Sequence, residues 1–164
     1  MNRLKIFAFT LVLTSSTLAS ANTLNERDAT TVAALATQAR QIREDISQYN
    51  AGRLAAGNSN GVQAVCWEQL FSVTEAATIA ISHAAMSIKL SSQMINPQDE
   101  ALALMAAKAD IEGSIAMSAT VRKVTNYVLG ACSSEPLLIS TSQRLSSFLS
   151  RADTTFSSLS RRLP

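Results

Sequence analysis

The chain is 164 residues long, with 14 Lys and Arg against 12 Asp and Glu and a single histidine. That length suits one domain built around one hydrophobic core. A charge so nearly balanced excludes the strongly basic surface that a phosphate backbone selects, so nucleic acid is not an expected partner.

The opening stretch, MNRLKIFAFTLVLTSSTLASA, has the three parts of a secretory leader. Arg3 and Lys5 make a short positive start. Residues 6–13 form an apolar run too short to span a bilayer, and Ala19 and Ala21 flank a small-x-small cleavage site. Residues 1–21 are therefore read as a cleaved signal peptide, and 22–164 as a single helical-bundle domain. Two of the 14 cations leave with the leader, so 12 basic residues face 12 acidic ones in what remains. The expected location is periplasmic or secreted, with no transmembrane span after cleavage.

The first predicted helix covers residues 25–54. Val32, Leu35, Ala39, Ile42, Ile46 and Tyr49 recur at steps of three and four, which places them on one face. Residues 51–61, AGRLAAGNSNG, then break the pattern, and Asn60-Gly61 is a strong turn dipeptide. A polar loop on a rigid scaffold is a plausible contact element, which makes Arg53, Asn58, Ser59 and Asn60 the candidate partner-contact residues.

The second predicted helix covers residues 62–95 and has no formal charge between Glu75 and Lys89. A helix apolar around most of its girth sits centrally in a bundle. Ala76, Ala80 and Ala84 form a stripe of small residues suited to close helix approach. Asn96, Pro97, Asp99 and Glu100 then read as a helix start. The third predicted helix runs from residue 97 to about 129. Its expected buried face is Leu102, Met105, Ala109, Ile111, Ile115, Ala116, Val124 and Val128. Ala109 and Gly113 offer a second small-residue strip, and Gly130 a C-terminal stop.

The fourth predicted helix starts at Glu135-Pro136 and reaches the end of the chain. Leu145, Leu149, Ala152, Phe156, Leu159 and Leu163 alternate by four and three, a clean heptad seam. Arg144, Arg151, Arg161 and Arg162 against Asp153 make this helix mildly basic. A membrane-surface role is weighed against core packing, and the heptad seam favours the core. Four long helices with short links imply an all-α, antiparallel four-helix bundle, most simply up-down-up-down.

The two cysteines, Cys66 and Cys132, are expected to pair, because an exported chain meets an oxidising compartment. They lie at the adjoining ends of the second and third helices. From the turn at Asn96 the count is 30 residues back to Cys66 and 36 forward to Cys132, a mismatch of six that a turn after Gly130 is expected to absorb. Trp67 is expected to pack near the bridge. A catalytic thiol would want a base, but His83 lies about 25 Å further along the same helix at ~1.5 Å per residue. Two cysteines and one distant histidine lack the spacing of a metal site. His83 with Met86 or Met117 allows a His/Met haem pair in principle, but one histidine among gap-filling methionines does not carry it, and no cofactor is expected. Glu68 and Glu75 with Arg40 and Arg43 read as surface ion pairs rather than acid–base machinery.

These readings point away from an enzyme. They favour an exported protein-binding module of a bacterial-type envelope, an inhibitor or toxin-immunity protein, whose partner is another envelope or secreted protein. The second reading is an envelope structural or stress factor that self-associates, as a homodimer, through helix four. The third is a small periplasmic cofactor carrier or enzyme using His83.

Overall fold

The computed structural model describes residues 24–58 and 60–163, so the expected leader lies outside the described residues, as does Ser59 of the candidate contact loop. Four helices follow one another: α1 (Glu26–Ala55), α2 (Val62–Ser91), α3 (Pro97–Ala131) and α4 (Pro136–Ser160). Among the described residues there is no strand.

The helix starts follow from local chemistry. The Asn25 side chain accepts a hydrogen bond from the Asp28 N–H, and the Asp28 carboxylate accepts one from the Asn25 N–H. This reciprocal box satisfies two backbone donors that would otherwise lack partners. At α3 the Asn96 side chain accepts from the Gln98 N–H, and Pro97 occupies the first turn, where its missing N–H costs nothing. The link between α1 and α2 turns on Gly57 and Gly61, at φ of 77° and 96°, a region L side chains rarely adopt.

Each helix packs on its neighbour in sequence, α4 closes back on α1, and the α1 and α3 backbones do not come within 8 Å of each other. The cross-links show that neighbours run antiparallel. Thr78 and Glu75 of α2 reach Ala39 and Arg43 of α1, and Asp28 and Asp45 of α1 pair with Arg162, just past the end of α4, and with Arg144 of α4. The core seam of α2 is Trp67, Leu70, Thr74, Ala77, Ile81, Ala84, Ile88 and Ser91, alternating three and four. The seam of α4 is buried in full, from Leu145 to Leu163, with Leu138 and Phe148 beside it. Each large side chain so buried stabilises by ~1.5–3 kcal/mol. Buried threonines satisfy their hydroxyls on their own helices: Thr74 donates to the Leu70 carbonyl at 2.6 Å and Thr125 to that of Val121 at 2.8 Å.

Several sequence expectations are corrected. Helix α2 stops at Ser91 rather than 95. Ser114, seventeen residues into α3, donates to the Ala80 carbonyl, only eleven residues before the end of α2. The start of α3 thus stands about six residues, or ~9 Å at 1.5 Å per residue, beyond the end of α2, and residues 92–96 climb that distance. Counted from Asn96, the α2–α3 contacts are offset by two residues at Ala80–Ser114 and by five at Ser87–Asp110, so part of the six-residue mismatch already stands between the link and the bridge rather than after Gly130, which stays helical; α3 continues to Ala131.

Leu102 and Met105 are not buried, but 68% and 66% exposed, and Ala109 and Ala116 are exposed as well. The α3 core seam instead runs Leu104, Ala107, Ile111, Ser114, Ser118, Val121, Thr125, Val128. Tyr49 is half exposed, its ring tilted against Trp67 at 6.0 Å between centroids. Gly113 makes no close helix contact, since a Cβ built there meets nothing within 4 Å.

Candidate functional site

Three places among the described residues bear on the sequence-based expectations of function: the disulfide end, the groove between α1 and α2, and the projecting start of α3.

At the disulfide end, Cys66 and Cys132 are joined, with Cα atoms 6.6 Å apart. Cys66 therefore carries no free thiol. One residue on, the Trp67 indole N–H donates to Glu135 Oε1 at 2.8 Å. Glu135 is the N-cap residue of α4, yet its side chain makes no capping bond, because it is turned inward to the tryptophan. Sequence reasoning missed this partner. An acidic residue just before Pro136 looks like ordinary helix-start chemistry, and nothing local marks it as a tertiary contact.

The candidate loop lies at this same end. Arg53 is turned inward: its guanidinium donates to the Asn58 carbonyl oxygen and, at 2.9 Å, to Asn50 Oδ1. It holds the end of α1 and the loop together. Asn58 and Asn60 are exposed. The structure therefore places Arg53 in a fold-supporting role and leaves the two asparagines open.

The α1–α2 groove encloses about 470 Å³ and is lined by Thr37, Arg40, Gln41, Arg43, Glu44, Thr78, Ile79, Ser82 and His83. Its two arginines already have partners. Arg43 faces Glu75 at 3.6 Å and Glu44 at 3.9 Å, and Arg40 donates to the Ala36 carbonyl and to Thr37, each at 3.3 Å. These pairs are exposed enough to contribute only ~0.2–1 kcal/mol each. His83 sits on the exposed rim. Met86, one turn further on, is 63% exposed, and Met117 packs against the core; neither lines the groove with His83. Among the described residues no group of three or more His, Cys, Asp or Glu could hold a metal ion. The groove offers hydrogen-bonding side chains to a partner surface, with no nucleophile held against a base.

The arginines of α4 and of the two residues after it are likewise used within the chain. Arg144 pairs with Asp45 and Arg162 with Asp28, each at 2.6 Å, and Arg122 of α3 pairs with Asp153. Arg151 and Arg161 donate to carbonyls of their own helix. No described helix is long and apolar enough to cross a membrane.

The third place is the start of α3. Asp153 pairs with Arg122, and α4 ends seven residues later at Ser160. Helix α4 therefore reaches only about seven residues back along α3 from Arg122, and α2 stops short as well. The first turns of α3 project with neither helix alongside. There Leu102 and Met105 are exposed, and Ile95, in the preceding link, is 96% exposed. The spacing signal for this was present. Leu104, Ala107 and Ile111 keep the same heptad phase as the small serines and threonines further along, and that phase puts Leu102 and Met105 outside.

No protein-family model matches the chain, and no curated protein or solved structure is significantly similar to it.

Proposed function

We propose that the protein is an exported, non-enzymatic binding module of a bacterial-type envelope, with an inhibitor or toxin-neutralising immunity protein as its most concrete form. The observation that carries this reading is the projecting start of α3. Ile95, Leu102 and Met105 stand exposed together at one end of the bundle. Clustered exposed apolar side chains mark interaction surfaces, and methionine adapts to an irregular partner. The leader-like residues 1–21 and the Cys66–Cys132 bridge support export into an oxidising compartment. In this reading the contact surface is the end opposite the loop carrying Asn58 and Asn60.

The test is affinity capture from envelope extracts, with the natural chain beside a Leu102→Asp/Met105→Asp variant. A partner held by the first and lost by the second, with both chains melting alike, is the expected result. A partner retained equally by the variant would remove the α3 surface from the proposal, and no specific partner would remove the function.

Self-association through helix four meets a physical obstacle. Its seam from Leu145 to Leu163 is buried in the chain's own core, so an encounter through it would require the bundle to open.

A further inference from the structure

Helix α2 carries two heptad seams. The inner one packs the core. The outer one is Ser72, Ala76, Ile79, His83, Met86 and Leu90, spaced four, three, four, three, four. Ile79 and Met86 are 53% and 63% exposed, Leu90 and His83 are exposed, and Ala76 is half-buried. A helix needs one such seam to join its own bundle; a second, facing outward, has no partner among the described residues.

We propose that this outer face of α2 docks a second copy of the chain as a short antiparallel coiled coil, related by a two-fold axis. The charges beside the seam select that occupant. On the edge facing α1, Glu75, Ser82 and Lys89 recur every seven residues, with no formal charge between the first and last. In an antiparallel pair these flanking positions meet their own kind. Glu75 of one copy faces Lys89 of the other, twice, while Ser82 lies near the axis and meets its own counterpart. The same register sets Ile79 against His83 and Ala76 against Met86 of the other copy, so small faces large in that layer. Every contact occurs twice, as a two-fold interface requires. Lys89 has no ion-pair partner among the described residues, whereas Glu75 has only the 3.6 Å contact with Arg43. Docking gives the lysine a counter-charge and removes four large apolar side chains, Ile79 and Met86 from each copy, from water. This surface is separate from the projecting start of α3, and neither proposal depends on the other. An antiparallel pair would carry its two α3 ends at opposite poles.

Sedimentation velocity over a concentration series of the protein as the cell processes it tests the pairing. A concentration-dependent dimer is expected. Ile79→Glu/Met86→Glu should be monomeric with an unchanged circular-dichroism melt, since both side chains are exposed. Glu75→Lys should raise the dimer dissociation constant by roughly tenfold, and Glu75→Lys/Lys89→Glu, which restores opposite charges across the axis, should recover most of it. A chain that stays monomeric at high concentration overturns the proposal. So does a dimer indifferent to Ile79→Glu/Met86→Glu, which would be built on another face. Weakening by the single charge reversal without recovery in the double reversal overturns the antiparallel register.

Discussion

Trp67 donates its indole N–H to Glu135 at 2.8 Å, one residue along from the Cys66–Cys132 bridge. Two adjacent residues at the start of α2 thus hold both sides of the α3–α4 turn, one by a covalent bond and one by a hydrogen bond. The bridge fixes where α3 ends, and the tryptophan fixes where α4 begins.

Removing the bridge is expected to be the costliest change at this end. The cysteines are 66 residues apart, and in the chain-entropy account closing a loop of that size stabilises by about 4 kcal/mol. Cys66→Ser/Cys132→Ser should lower the melting temperature by roughly 8–16 °C for a chain of this size. Calorimetry on the variant checks it; a melt within a few degrees of the natural chain would sink the account. Trp67→Phe leaves the Glu135 carboxylate without its donor and should cost ~1–3 kcal/mol in urea unfolding. Glu135→Gln, which keeps a carbonyl acceptor, should cost less.

Two buried serines on α3 should respond oppositely to the same substitution. The Ser114 hydroxyl donates to carbonyls of Ala80 and Asp110 at 3.0 and 2.8 Å, whereas the buried Ser118 hydroxyl has no partner among the described residues. Ser118→Ala removes an unsatisfied polar group and should stabilise by ~0.5–1 kcal/mol, whereas Ser114→Ala should destabilise by ~0.5–1.5 kcal/mol. Paired denaturant melts decide the sign, and equal shifts in one direction would refute it.

Glycine replacements should divide by backbone conformation. Gly113 is helical, and a Cβ there meets nothing within 4 Å. Gly113→Ala should therefore stabilise by ~0.4–1 kcal/mol, through helix propensity and a less free unfolded chain. Gly61 has equal space but a φ of 96°. Gly61→Ala should destabilise, by about 1 kcal/mol or more. Thermal melts of the two variants should move apart; a gain for both would mean the turn can relax.

Asp45 should contribute an acid-sensitive part of stability. Hydrogen bonds from Gln41, at 2.9 Å, and from Arg144 hold its carboxyl below the ordinary carboxylate range. A carboxyl lowered in the folded state stabilises above its unfolded value of about 3.9, and that contribution fades as the pH falls through the lower folded value. Asp45→Asn should lower the melting temperature at neutral pH, and the gap from the natural chain should close below about pH 4. A gap independent of pH would contradict the assignment.

Helix identity was legible in the sequence because it is local. Asn25 and Asn96 announce their helix starts, Gly57 and Gly61 the loop, and the seam of α4 is large and apolar enough to declare its buried face. On α3 the large residues misled. Leu102 and Met105 look like core and stand in water, while Ala107, Ser114 and Ser118 look like surface and lie inside. Burial there depends on which neighbours run alongside and where they stop. The early end of α2 and the short reach of α4 leave the start of α3 uncovered.

The sequence by itself determined four helices, their order and a disulfide-compatible pairing of Cys66 with Cys132, because periodicity, capping and turn chemistry act within a few residues. Only the tertiary structure decided the offset between α2 and α3, the Trp67–Glu135 contact and the outward seam of α2. Each of these depends on the relative axial position of whole helices. That position is set by the summed packing of two long faces, which no single segment of the chain encodes.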